Sequence, residues 1–104
     1  MSVNIDVCEN SIIAHINGDI DHHTAKEIRE TIDSVAERTS PQKLTLDFRG
    51  VTFMDSSGIG LVMGRYRLMN ALGGQLEVIN VSSQIKKVMR ISGVDKIAKV
   101  KEGR

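Results

Sequence analysis

The segment FMDSSGIG, Phe53 to Gly60, decides how the rest of the chain is read. Two apolar residues give way to an aspartate, two serines and a glycine, and the residues that follow repeat at helical spacing. The pattern is a strand running into a helix across a short polar junction. Such a junction can hold a nucleophile, cradle a phosphate or start a helix.

Working outward, the helix predicted over Ser57 to Leu72 is closed by Gly73-Gly74, and QLEVI (Gln75 to Ile79) reads as the next strand. Upstream, KLTLDF (Lys43 to Phe48) alternates as a strand, with Phe53-Met54 leading into the junction. The segment His22 to Arg38 places Ala25, Ile28, Ile32, Val35 and Ala36 on a helical stripe, with Asp21 or Thr24 as the cap. Pro41 follows where that helix has ended. Val3 to Cys8 and Ser11 to Asn17 read as strands joined tightly at Glu9 and Asn10, so a hairpin opens the chain. After Ser82 or Ser83 a short helix carries Ile85, Val88 and Met89 on one face and stops at Gly93. A last strand lies near Ile97 to Val100, and the tail KEGR is expected to fray. Strands separated by helices imply an α/β fold: a mixed, mostly parallel sheet with an N-terminal antiparallel hairpin and flanking helices.

Composition narrows the function. The chain has 104 residues, 40% of them hydrophobic, which suits one domain over 1–104 with its own core. Basic and acidic residues number 14 and 13 and aromatics make up 3%, a balance that argues against nucleic-acid binding. The single cysteine, Cys8, excludes an intramolecular disulfide and a CxxC motif. The opening MSVNIDVCEN lacks the basic and apolar regions of a secretory signal, and no apolar run approaches the ~18 residues of a membrane span. A soluble, cytoplasmic protein is expected.

Three readings compete at the junction. As a plain helix start, Ser56 or Ser57 caps the helix and Gly58 permits the tight turn. As a hydrolase, Ser56 would need a GxSxG elbow, yet Met54 and Ser57 stand where the two glycines belong; His22 or His23 would have to supply the base. As an anion site, serines in the first helical turn lie beside free N–H groups and a positive dipole end of roughly half a charge. No GxxxxGK[ST] loop is present. The other polar cluster, NGDIDHHTA (Asn17 to Ala25), also sits at a strand-to-helix junction; its adjacent histidines diverge and no spaced ligand motif follows, so neither metal nor cofactor is assigned. Within the Ser57–Leu72 helix, Ile59, Val62, Met63, Tyr66 and Met69 form the expected core stripe. Leu61, Leu68 and Leu72 make a second row that is either buried too or faces a partner. Gly64 costs that helix about 1 kcal/mol relative to alanine, which close backbone packing would explain.

Taken together, GDIDHHTA, FMDSSGIGLVMGRYRLMNALGG and the late MRISG resemble the anti-sigma-factor antagonists, single STAS domains, and most of all the sporulation type. The resemblance covers nearly the whole chain. It implies no enzymatic activity. It implies that Ser56, directly after Asp55, is phosphorylated by an anti-sigma factor that is itself an ATP-dependent serine kinase, and that a serine phosphatase restores it. It further implies that Asp55, Ser57, Gly58, Ile59 and Gly60, with Asp19, Asp21 and Thr24 from the earlier loop, dock on that kinase and so free a sigma factor. A general-stress antagonist or another STAS phospho-switch module is the alternative within the same family.

Overall fold

In the computed structural model, which describes residues 2–103, an opening hairpin leads into alternating helices and strands. The strands are β1 (Val3–Val7), β2 (Ser11–Ile20), β3 (Lys43–Met54), β4 (Gln75–Val81) and β5 (Lys99–Glu102). The helices are α1 (His22–Thr39), α2 (Ser56–Ala71) and α3 (Ser83–Ser92), and Val94–Lys96 forms a single 3-10 turn. The strands lie in chain order across the sheet, β1 antiparallel to β2 and every later pair parallel, as the alternation of patterns predicts. Right-handed crossovers that always step to the next strand leave all three helices on one face.

Strand alternation builds the core. Ile12, Ala14 and Ile16 of β2, Leu44, Leu46 and Phe48 of β3, and Leu76 and Val78 of β4 are buried beneath the helices. The register aligns them in rows, Ile12 opposite Leu44 and Leu44 opposite Leu76. Ile28, Ile32 and Ala36 of α1, Leu61, Val62 and Met69 of α2, and Met89 of α3 close over these rows. Each fully buried Leu, Ile or Met contributes about 1.5–3 kcal/mol by leaving water.

On the opposite face polar side chains stitch the strands together. The His15 imidazole lies 2.7 Å from the Asp47 carboxylate through Nδ1 and 2.9 Å from Asp6 through Nε2. Asp47 also accepts from the Asn80 amide at 2.9 Å and from the Arg49 backbone N–H at 3.0 Å. Glu77 sits between Lys43 and Lys101, 3.0 Å from each ammonium. An imidazole that donates to two carboxylates carries both protons, and the bonds to Asp47 and then Asp6 raise the His15 pKa above its ordinary value. Partial burial pushes Asp47 up, but its hydrogen bonds from Asn80, Arg49 and His15 outweigh this and hold it below the usual carboxylate range.

Several strands outrun the sequence pattern. β2 continues past Asn17 to Ile20, β4 reaches Val81, and the two apolar runs of β3 form one strand from Lys43 to Met54. Apolar alternation breaks because the β2–β3 register shifts after His15 and again after Gly18. Gly18 has a φ of 86°, and the Asn17 side chain occupies the space where Gly50 would carry a Cβ. The expected fraying also needs correction: Lys101 and Glu102 belong to β5, and the Gly103 N–H donates to Val81 at 2.8 Å. Arg104 lies outside the described residues.

Helix α2 packs its predicted stripe on the core, with Val62 and Met69 fully buried, and Leu61 of the second row is buried beside them. Leu61, Val62, Arg65 and Met69 are buried, whereas Ile59, Met63 and Tyr66 are only half-buried. Leu68 and Leu72 pack on the same core, so the helix is buried broadly. Arg65, 5% exposed, pairs with Asp33 of α1. Nη2 donates to one Asp33 oxygen at 3.2 Å, while Nε faces the other at 2.8 Å off the hydrogen-bond axis, so that approach is Coulombic. Burial pushes the Asp33 carboxyl up and the Arg65 guanidinium down, and their attraction opposes both shifts. Gly64 has no atom within 4 Å of the place a Cβ would take, which removes close packing as its explanation. Gly74 is the tight position: a Cβ there would meet the backbone oxygens of Pro41 and Gln42 at 2.9 Å.

Two outcomes are expected. In urea denaturation Gly64→Ala should gain about 1 kcal/mol and Gly74→Ala should lose about 1–3 kcal/mol; changes of the same sign would contradict this packing. His15 stabilises the fold fully below its unfolded value of 6.5 and ceases to do so as pH rises through its higher folded value. The stability gap between wild type and His15→Gln should therefore be wide at pH 6 and shrink by pH 9. A pH-independent gap would mean that the imidazole is not charged.

Candidate functional site

The extended ends of β2 and β3 bring two helix N-termini together. Ile20 pairs with Met54, and the Asp55 N–H donates to the Ile20 carbonyl at 3.1 Å. Each strand then turns into a helix through an aspartate in extended conformation. Asp21 caps α1, its carboxylate accepting from the His23 and Thr24 N–H groups at 2.9 Å, while the Asp21 N–H donates to the Thr24 hydroxyl at 2.9 Å. The bond from the Thr24 N–H leads in holding the Asp21 carboxyl below its ordinary pKa. The Thr24 hydroxyl donates onward to the Asp19 carbonyl at 2.8 Å, and Thr52 donates to the Asp19 carboxylate at 2.7 Å.

At α2 the cap is Asp55, and this corrects the expectation that Ser56 or Ser57 fills the role. The Asp55 carboxylate accepts from the Ser57 N–H at 2.8 Å. Ser56 becomes the first residue of the helix, exposed, and its hydroxyl has no hydrogen-bond partner among the described residues. Ser57 and Ile59 are half-buried and Gly60 is exposed. Gly58 is buried, with the Met54 side chain in the space a Cβ would need. The cap leaves the Ser56 hydroxyl free while orienting it at the positive end of α2.

His22 and His23 meet edge to face with ring centroids 5.8 Å apart, and neither imidazole is hydrogen-bonded to a serine among the described residues. The hydrolase reading thus lacks a paired base. Two grooves flank the junction. One, about 420 Å³, runs between α1 and α2 past His22, Ser57, Gly60 and Gly64. The other, about 280 Å³, lies between the end of β3 and α3 and is lined by Phe53, Met54, Ile85 and Val88. Phe53, three residues before the serine, lines this groove and is 56% exposed. The sequence reading missed both grooves and the Arg65–Asp33 pair, although arginine amid apolar residues at helical spacing signals a buried cation.

The family model described as STAS domain matches residues 2–103. The chain belongs to the STAS family. Among relatives of this STAS protein, the anti-sigma F factor antagonist of Paenibacillus polymyxa is 35% identical over 86 residues, 83% of this chain and 74% of that one. The anti-sigma-B factor antagonist of Bacillus subtilis (strain 168) is 32% identical over 99 residues, 93% of this chain and 89% of that one. The unphosphorylated form of the anti-sigma factor antagonist SpoIIAA superposes with a TM-score of 0.82 at 28% identity, covering 94% of this chain and 86% of that one. SpoIIAA of Bacillus in its phosphorylated form gives 0.75 at 28% identity, covering 94% and 89%. The five-stranded mixed sheet is thus the STAS fold of SpoIIAA.

In this STAS domain the cap assignment has a measurable consequence. Asp55→Ala should cost about 1 kcal/mol of unfolding free energy. Ser56→Ala should stay within about 0.5 kcal/mol of wild type, since an exposed, unbonded hydroxyl is removed. Urea titration of both variants checks the assignment, and a larger loss at Ser56 would return the capping role to the serine.

Proposed function

We propose that the protein is an anti-sigma-factor antagonist that binds its anti-sigma factor, a serine kinase, when Ser56 is unmodified and loses that partner when Ser56 is phosphorylated. The observation that carries this reading is the free, exposed Ser56 hydroxyl in the first turn of α2, beside an aspartate that has taken over the cap. Relatives named as antagonists of anti-sigma F and anti-sigma-B factors support the role, and SpoIIAA exists in phosphorylated and unphosphorylated forms. Binding of the partner frees a sigma factor, and a serine phosphatase resets the switch. The protein acts as kinase substrate and binding module in the cytoplasm, as one domain without cofactor, metal, membrane or nucleic acid. Among the described residues no helix is long and apolar enough to cross a membrane.

The docking surface comprises Asp19, Asp55, Ser57, Ile59 and Gly60 around Ser56. Asp21 and Thr24 set the shape of the neighbouring loop through their capping box, and Gly58 acts from beneath by letting the helix start against Met54. Phosphorylation adds about −1.5 to −2 charges next to Asp55. The α2 dipole stabilises that charge in the free protein, so the fold persists while the surface gains negative charge. In the complex the same charge must be desolvated beside a carboxylate, and every 1.4 kcal/mol of penalty weakens binding about tenfold. A general-stress pathway is the second reading, favoured by the similarity to the anti-sigma-B antagonist.

With Mg-ATP and the cognate kinase, intact-mass analysis should show one phosphoryl group on wild type and none on Ser56→Ala. Ser56→Ala should bind the kinase as tightly as unmodified wild type, and Ser56→Asp at least about tenfold more weakly. Phosphorylation of Ser56→Ala, or wild-type affinity in Ser56→Asp, would sink the switch. Parallel trials with sporulation and stress kinases separate the two pathways.

A further inference from the structure

The groove between α1 and α2 is lined by residues at helical spacing on both walls: His22, Lys26 and Arg29 on one, Ser57, Gly60, Gly64 and Arg67 on the other. Lys26, Arg29 and Arg67 make no ion pair within 4.0 Å among the described residues. Arg29 shares the field of Asp33 with Arg65, so one carboxylate faces more than one cation here, while the chain as a whole carries a formal charge of only +1. Arg29 and Arg67 both press repulsively on Arg65, whose own charge is already matched to Asp33. The floor is open as well as basic. Neither Gly60 nor Gly64, one turn apart on α2, has an atom within 4 Å of a notional Cβ, so another backbone can approach the helix closely.

We propose that this groove docks an extended acidic segment of a protein partner. From His22 to Arg29 the wall spans about 10 Å at 1.5 Å per residue, enough for about three extended residues. Lys26 and Arg29 stand on one wall and Arg67 on the other, so a chain with several carboxylates can meet cations from both helices. The glycine floor explains the feature of α2 that packing left unexplained. Ser57 lies at the groove mouth, so a phosphate on adjacent Ser56 repels an acidic occupant. In that respect the inference rests on the phospho-switch and deepens it: phosphorylation closes the groove electrostatically.

Hexaglutamate serves as the probe, titrated into the unmodified full chain and followed by backbone amide shifts. Saturable shifts confined to 22–29 and 57–67, weakened about tenfold in Arg29→Ser/Arg67→Ser and by raised salt, are expected. Gly64→Leu, whose Cβ enters open space, should remain folded and lose the peptide, whereas Lys99→Ser on the sheet edge should bind normally. Ser56→Asp should bind several-fold more weakly. Absence of saturable shifts at millimolar peptide, shifts spread over Lys43, Lys99 and Lys101, or full binding by Gly64→Leu would overturn the proposal. So would tighter binding of a single-stranded oligonucleotide to the same groove. Because no kinase is present, failure here leaves the Ser56 mass shift intact, and failure of the mass shift leaves peptide binding to be scored alone.

Discussion

The Asp55 N–H bond to the Ile20 carbonyl closes the parallel pairing of β2 and β3 at their far ends, and the site depends on that closure. Both strands leave the main register at bulges and still finish opposite one another, Ile20 beside Met54. Each then enters a helix through a capping aspartate. Two helix N-termini, each a source of free N–H groups and positive potential, are thereby set side by side on one end of the sheet. Without the paired strand ends, Ser56 and the Asp19–Thr24 loop would share no surface.

Charge is distributed in three distinct ways over this small domain. On the sheet face without helices, acidic and basic groups meet within hydrogen-bonding distance, as His15 does with Asp6 and Asp47 and Glu77 with its two lysines. In the core one arginine is matched to one carboxylate, because an unmatched buried charge would cost several kcal/mol. Between α1 and α2, Lys26, Arg29 and Arg67 have no ion pair within 4.0 Å among the described residues. A composition close to neutral conceals this, since net charge averages over surfaces that are electrostatically unlike.

The capping chemistry at the two junctions illustrates what local sequence can carry. At α1 the sequence left Asp21 or Thr24 as the cap; Asp21 takes it and Thr24 closes the capping box as its N3 partner, an arrangement that lies within four residues and needs nothing from elsewhere. At α2 three residues in succession, Asp55, Ser56 and Ser57, are all good caps, and local preference alone does not rank them. The bond from Asp55 to Ile20 fixes where the strand ends, and that decides the ranking. A helical face is subject to the same limit. Apolar spacing in α2 supports two overlapping rows, and both pack on the core, with the Arg65–Asp33 pair to α1 set among them.

The sequence by itself determined the α/β class, the hairpin, the order of helices and strands, the family resemblance and Ser56 as the residue of interest. All of these rest on periodicities and motifs a few residues long, which local backbone and side-chain preferences encode. Only the tertiary structure decided that Asp55 caps α2 and leaves the Ser56 hydroxyl free, that β2 and β3 run on to meet at Ile20 and Met54, and that cations from two helices share one glycine-floored groove. Those outcomes depend on contacts between residues some thirty or more positions apart, as Asp33 and Arg65 or Ile20 and Asp55 are, and such contacts are set by the packing of whole elements.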